Sequence, residues 1–190
     1  MPDSIHEKTA ILLYGGMVAQ AVEHLESGLR AIRRTRYHKV IGRTMLSQVR
    51  DTAYALAILS EDMGKEIKLA AAYVEMNGFA DNTDRWYFEG LGYKKHVEGW
   101  DREWLAHWHS HPDLHFPITG WEDIQKVFAE HFCNTELSLQ VQLARDIAEH
   151  LVLVRYIELI VAAARQAPTA VLARATAKFR KLRPRQKKRR

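Results

Sequence analysis

Four histidines and a carboxylate fall within nine residues, His107-Trp-His-Ser-His-Pro-Asp-Leu-His115. Imidazoles serve as metal ligands, general bases or hydrogen-bonding struts, so three chemistries stand open for this string. A second segment of interest runs Ala53-Tyr-Ala-Leu-Ala-Ile-Leu-Ser-Glu-Asp-Met-Gly-Lys-Glu66. It reads as an amphipathic helix with a Glu61–Lys65 pair one turn apart. Gly64 costs about 1 kcal/mol against alanine inside a helix, which predicts another backbone packing closely against it.

A third pattern is an arginine followed after four to six residues by a histidine, a spacing that resembles the catalytic signature of HEPN-type ribonucleases. It occurs at Arg33–His38, Arg102–His107, Arg102–His109 and Arg145–His150, roughly the number that 17 arginines and 10 histidines in 190 residues produce by chance. Placement must therefore decide among them. A histidine near neutrality can take a proton from a ribose 2′-hydroxyl, and a guanidinium can hold the phosphate charge bidentately, with no metal required. Arg145-Asp-Ile-Ala-Glu-His150 is the best placed, in the last long helix with Asp146 beside the arginine. On an ideal helix five residues rotate by about 140°, so that pair converges only across a two-fold dimer axis or at a bend. The bland alternative is a surface ion pair of Arg145 with Asp146 or Glu149 and a packing histidine. Arg102 and His109 lie nearly on one helical face, about 10 Å apart along the axis.

Two family resemblances follow from these segments. The His109-Ser-His-Pro112 string resembles the metal-binding heart of JAMM-type isopeptidases, which would make His109 and His111 zinc ligands. Thr119 and Glu122 stand where that family carries Ser and Asp, and the sheet that delivers those histidines is not expected here. The Leu56–Lys65 stretch resembles the Glu-Glu-Leu-Gly-Lys helix of AbiV-type HEPN proteins, with Asp62 and Met63 as its two conservative departures. Trp104, Trp108, Ser110, His111 and Leu114 take the places of that family's later aromatic and Ser-His-Lys-like element, with Pro112 in place of lysine. The resemblance covers residues 44 to 115. It implies a HEPN-like helical bundle and a homodimer. It also implies a metal-independent endoribonuclease of abortive infection or toxin type, acting on RNA without a cofactor under a phage-encoded activator or an antitoxin. Under it Glu61, Lys65 and His111 are signature residues, and the catalytic candidates are Arg145, His150, Arg102, His107 and His109. A non-catalytic helical module that binds RNA or protein is the alternative reading.

The elements expected to position these residues are helices throughout, because apolar residues recur with helical period and no alternating run bounded by hairpin turns stands out. The expected fold is all-α, with long antiparallel helices and an irregular Trp/His-rich insertion. A first helix spans about Ile5 to Thr35, bent at Gly15-Gly16. A second starts at Thr44 and follows Met45, Val49, Ala53, Leu56, Ser60, Met63, Ile67, Ala70 and Val74 to Asn77-Gly78. Residues 79 to 98 look irregular. Short helices follow over about Gly99 to His109 and Trp121 to Phe132, and a long final helix starts near Asn134-Thr135. All five tryptophans, Trp86, Trp100, Trp104, Trp108 and Trp121, lie in this later part.

Charge divides the chain. The net +5 combines nine Lys or Arg in residues 178 to 190 with 19 basic and 23 acidic groups before them, so a helical domain over 1–177 near −4 precedes a basic tail. Such a run is commonly solvated and touches nucleic acid through phosphate charge. The longest uncharged stretch, Thr9 to Val22, is 14 residues against the roughly 20 of a spanning helix, and a single cysteine, Cys133, forbids an internal disulfide. A cytoplasmic protein with no membrane partner is expected.

Overall fold

A computed structural model describes residues 5–77, 85–96, 103–132 and 137–167. The order of elements is α1 (Ile5–Tyr14), α2 (Val18–Arg30), a 3₁₀ turn at Arg36–Val40, α3 (Val49–Glu66), β1 (Ala71–Met76), β2 (Tyr87–Tyr93), a 3₁₀ turn at Glu103–Ala106, β3 (Phe116–Pro117), α4 (Glu122–Phe132) and α5 (Leu139–Gln166). The basic tail, Arg102 and the start expected for the last helix lie outside the described residues.

The all-α expectation is overturned by a three-stranded antiparallel sheet in the order β1-β2-β3. Tyr73 pairs with Leu91 and Glu75 with Glu89. The second expected helix runs only to Glu66, and Ile67 turns the backbone to an extended conformation. Ala70 and Val74 fit a helical spacing, yet Ala72, Val74 and Met76 alternate with Tyr73 and Glu75, and both periods suit so short an apolar run. The expected first helix is likewise split. Leu12 O accepts Met17 N–H at 2.8 Å and Leu13 O accepts Gly16 N–H at 3.0 Å, closing α1 around the left-handed Gly16 (φ +72°). The helix expected over 99–109 is, among described residues, only the 3₁₀ turn at Glu103–Ala106.

The core forms where α2 and α3 each pack on α5, burying Leu25 and Leu29, Leu56 and Leu59, and Ile147 and Leu151. The sheet lies against α3 through its glycines. A Cβ on Gly92 would stand 2.9 Å from Met63 Sδ, and one on Gly90 3.1 Å from Leu59 Cδ1. Gly64, expected to mark the close contact, faces open space. The helix was thus the right one, but the glycines that allow the approach belong to the strand. The other face of the sheet carries a smaller cluster of Ala71, Leu91 and Tyr93 under Trp104 and Leu105, with the Tyr93 hydroxyl donating to Leu105 O at 2.8 Å. Among the described residues no helix is long and apolar enough to cross a membrane.

A buried ion network ties the helical layer together. Glu26 accepts from Gly42 N–H at 2.9 Å, Arg30 at 2.7 Å and Arg155 at 3.2 Å, and Arg155 also reaches Glu158 at 2.9 Å. Burial works against the charge on Glu26, but the Gly42 N–H and the two guanidiniums hold its carboxyl below the ordinary carboxylate value.

Candidate functional site

The corner where α1 meets α5 brings His6 against His150, with ring centroids 4.2 Å apart and planes inclined at 38°. His150 Nδ1 lies 2.8 Å from Asp146 O, one turn earlier in α5. A carbonyl only accepts, so Nδ1 carries the proton and the neutral ring keeps its lone pair on Nε2. His6 has its Nδ1 buried with no hydrogen-bond partner among the described residues. Burial lowers the His6 pKa, and the neighbouring His150 adds to the lowering against a weaker opposing pull from Asp146. The neutral form of His6 is therefore favoured.

Helix α5 runs without interruption from Leu139 to Gln166, and on a regular helix Arg145 and His150 point about 140° apart. Arg145 lies instead on the side of α5 covered by the Arg36–Val40 turn. Its charge reaches Tyr37, whose phenol is pushed up by burial, and Glu149, whose carboxyl is raised by burial against the pull of Arg145 and His150.

The turn itself is tightly built. Tyr37 is 1% exposed and packs edge-on to Phe128 at 5.2 Å. Thr35 N–H donates to His38 Nδ1 at 3.0 Å, leaving His38 Nε2 to donate to Ile32 O at 3.3 Å. Both nitrogens of His38 are used, which makes the Arg33–His38 spacing a structural cap. Concave against this turn is a cavity of about 480 Å³ lined by Arg34, Thr35, Arg36, His38 and Lys39.

The remaining candidates gather on the outer face of the sheet. Ser110 bridges to Gly92 of β2, and its buried hydroxyl donates to Glu66 at 2.6 Å, fastening the His-Ser-His string between β2 and the end of α3. His111 Nε2 and His115 Nε2 lie 3.1 and 3.2 Å from the same oxygen of Glu89. Trp108 flanks His111 and Tyr87 flanks His115. Glu75, directly across the strand pair from Glu89, has its carboxyl raised by burial and by the Glu89 charge, with His111 opposing. His107 and His109 are exposed, and neither side chain makes a hydrogen bond or ion pair among the described residues. Arg102, their expected partner, is not described.

The zinc alternative does not assemble. Thr119 gives its N–H and hydroxyl to Gln48 Oε1 at 2.8 and 3.1 Å, and Glu122 accepts Gly120 N–H at 2.9 Å. Among the described residues no group of three or more His, Cys, Asp or Glu is arranged to hold a metal ion. Of the HEPN-like signature residues, Glu61 and Lys65 lie on the exposed face of α3, with Lys65 Nζ 3.3 Å from Asp62 and 3.7 Å from Glu61.

The chain matches no protein-family model, no curated protein and no solved structure. Geometry alone therefore ranks the sites. Sequence reasoning missed His6, which no spacing rule joins to residue 150, and it missed the basic turn. A signal for the turn existed: Ser27 to Arg50 holds seven Lys or Arg and no acid. The net charge of the first 177 residues concealed it, since without those seven the remaining groups are 12 basic and 23 acidic.

Proposed function

We propose that this protein is a metal-independent ribonuclease, akin to HEPN-type toxins in chemistry, with His150 as the general base. The observation that carries the reading is the fixed tautomer of His150: its Nδ1–H is held by Asp146 O, which leaves Nε2 as the acceptor. In this scheme Nε2 takes the proton from a ribose 2′-hydroxyl. The oxygen so freed bonds to the adjacent phosphorus, the bond to the 5′ oxygen breaks, water supplies the proton that oxygen takes up, and the hydroxide left takes back the proton from His150 Nε2. The products are a 2′,3′-cyclic phosphate and a 5′-hydroxyl. His6 positions the His150 ring by tilted ring-to-ring contact.

Arg145 lies about 7.5 Å from His150 along the helix axis and is turned from it by about 140°. It serves the flanking backbone of a bound strand, or reaches the scissile phosphate of a second copy across a homodimer axis. The test is cleavage of a labelled single-stranded RNA with excess EDTA present. The full chain should cleave and leave cyclic-phosphate ends, and His150→Ala should lose activity by about 10²-fold or more. Equal cleavage by His150→Ala, or activity abolished by EDTA, would overturn the reading.

A further inference from the structure

We infer that the concave face of the Arg34–Lys39 turn is a phosphate-binding site that docks the RNA backbone beside α5. The naming of RNA rests on the ribonuclease reading, but the binding of phosphate oxyanions there does not.

The first ground is unneutralised charge. Of the seven cations between Ser27 and Arg50, three are ion-paired: Arg30 with Glu26, Arg36 with Glu130 at 2.8 Å, and Arg43 with Asp123 at 3.3 Å. Arg33, Arg34, Lys39 and Arg50 are exposed and have no carboxylate partner among the described residues. Arg34 and Lys39 line the 480 Å³ cavity, and Arg33 adjoins them in sequence. Like charges held this close repel one another, and an anion between them removes that repulsion.

The second ground is rigidity. Both ring nitrogens of His38 and the Thr35 N–H are engaged within the turn, and Tyr37 is sunk into the core. The cations therefore sit on a backbone that is already ordered, so binding an anion orders only their side chains. The third ground is place. The turn packs on α5, and Tyr37 lies within the field of Arg145, Asp146 and Glu149, the turns of helix that lead to His150. A strand held by the turn therefore lies beside Arg145, on the helix that carries His150. Guanidinium groups suit phosphate because they present paired donors, and single-stranded RNA supplies the repeated oxyanion.

The test is fluorescence anisotropy of labelled single-stranded RNA with the full chain, tail included, across a salt series. Cleavage is suppressed with His150→Ala in every binding sample and is measured separately with His150 intact. Arg33→Ala, Arg34→Ala and Lys39→Ala combined should weaken binding by about tenfold or more and reduce the salt slope by about 2, since each cation contributes about 0.7 on a single strand. All three side chains are exposed, so the thermal midpoint should stay unchanged. ATP and inorganic phosphate should compete only at much higher concentration than RNA. Unchanged affinity and slope would overturn the site, and ATP binding more tightly than RNA would overturn its assignment to a polynucleotide. If the original chain cleaves no RNA while the triple variant still loses binding, the catalytic reading fails and the site stands. If the original chain cleaves and the triple substitution changes neither binding nor cleavage, the reverse holds.

Discussion

Two pairs of histidines occupy opposite kinds of setting in this molecule. His111 and His115 approach one oxygen of Glu89, whereas His6 and His150 meet ring to ring with no carboxylate between them. A carboxylate that accepts from Nε2 occupies the nitrogen an imidazole would use as a base, so the sheet pair acts as a strut joining the His-Pro loop to β2. In the helical pair a backbone carbonyl fixes Nδ1 of His150 and leaves Nε2 open. Histidine density along the chain pointed to the first pair. The partner on the second nitrogen points to the other.

The comparison is broken most decisively by activity. His111→Ala combined with His115→Ala should leave RNA cleavage within about twofold, whereas His150→Ala should remove about 10²-fold or more. Cleavage assays that lose activity equally in both would move the chemistry to the sheet. Next in size is stability. Glu89→Ala removes the His111 hydrogen bond and the His115 ion contact and should lower the unfolding free energy by about 1 kcal/mol in urea titrations without reducing cleavage. A neutral result would mean that the pair holds nothing together.

The smallest effect is a pH contrast. Because the His6 pKa is lowered in the fold, the unfolded chain takes up that proton first. The contribution of His6 to stability is then full above about pH 6.5 and declines as pH falls below it. His6→Phe should flatten that decline. Glu75 has a raised pKa, so its favourable contribution is full below about 4.5 and is lost as pH rises through its folded-state value. Glu75→Gln should therefore raise the urea midpoint at neutral pH and leave it nearly unchanged in acid. Matching pH profiles for the two variants would remove the distinction between the regions.

Much of the helical layer was legible in the sequence. The stripe Met45, Val49, Ala53, Leu56 and Met63 is buried as its spacing requires, and α4 spans Glu122 to Phe132 close to the expected limits. The sheet was not legible. Apolar spacing at Ile67, Ala70 and Val74 continued a helical period, glycines interrupt the alternation Tyr87-Phe-Glu-Gly-Leu-Gly-Tyr93, and no two-residue turn joins the strands. At the candidate site the Arg145–His150 spacing was visible, and so was the geometric objection to it. The partner that His150 finds comes from α1, about 140 residues away in sequence.

Which segments bury an apolar face and where positive charge is unopposed can be read from neighbouring residues, because periodicity and local charge are local properties. The acid-free run from Ser27 to Arg50 belongs to that class, although the summed charge of the rest of the chain hides it. Which histidines are spent and which are open is fixed by the packing. That depends on which group faces each ring nitrogen: Glu89 beside His111 and His115, Ile32 O and Thr35 N–H about His38, and Asp146 O with the His6 ring about His150. Some of these partners are a turn away and others are brought by distant elements, and side-chain type alone fixes neither the tautomer nor the role.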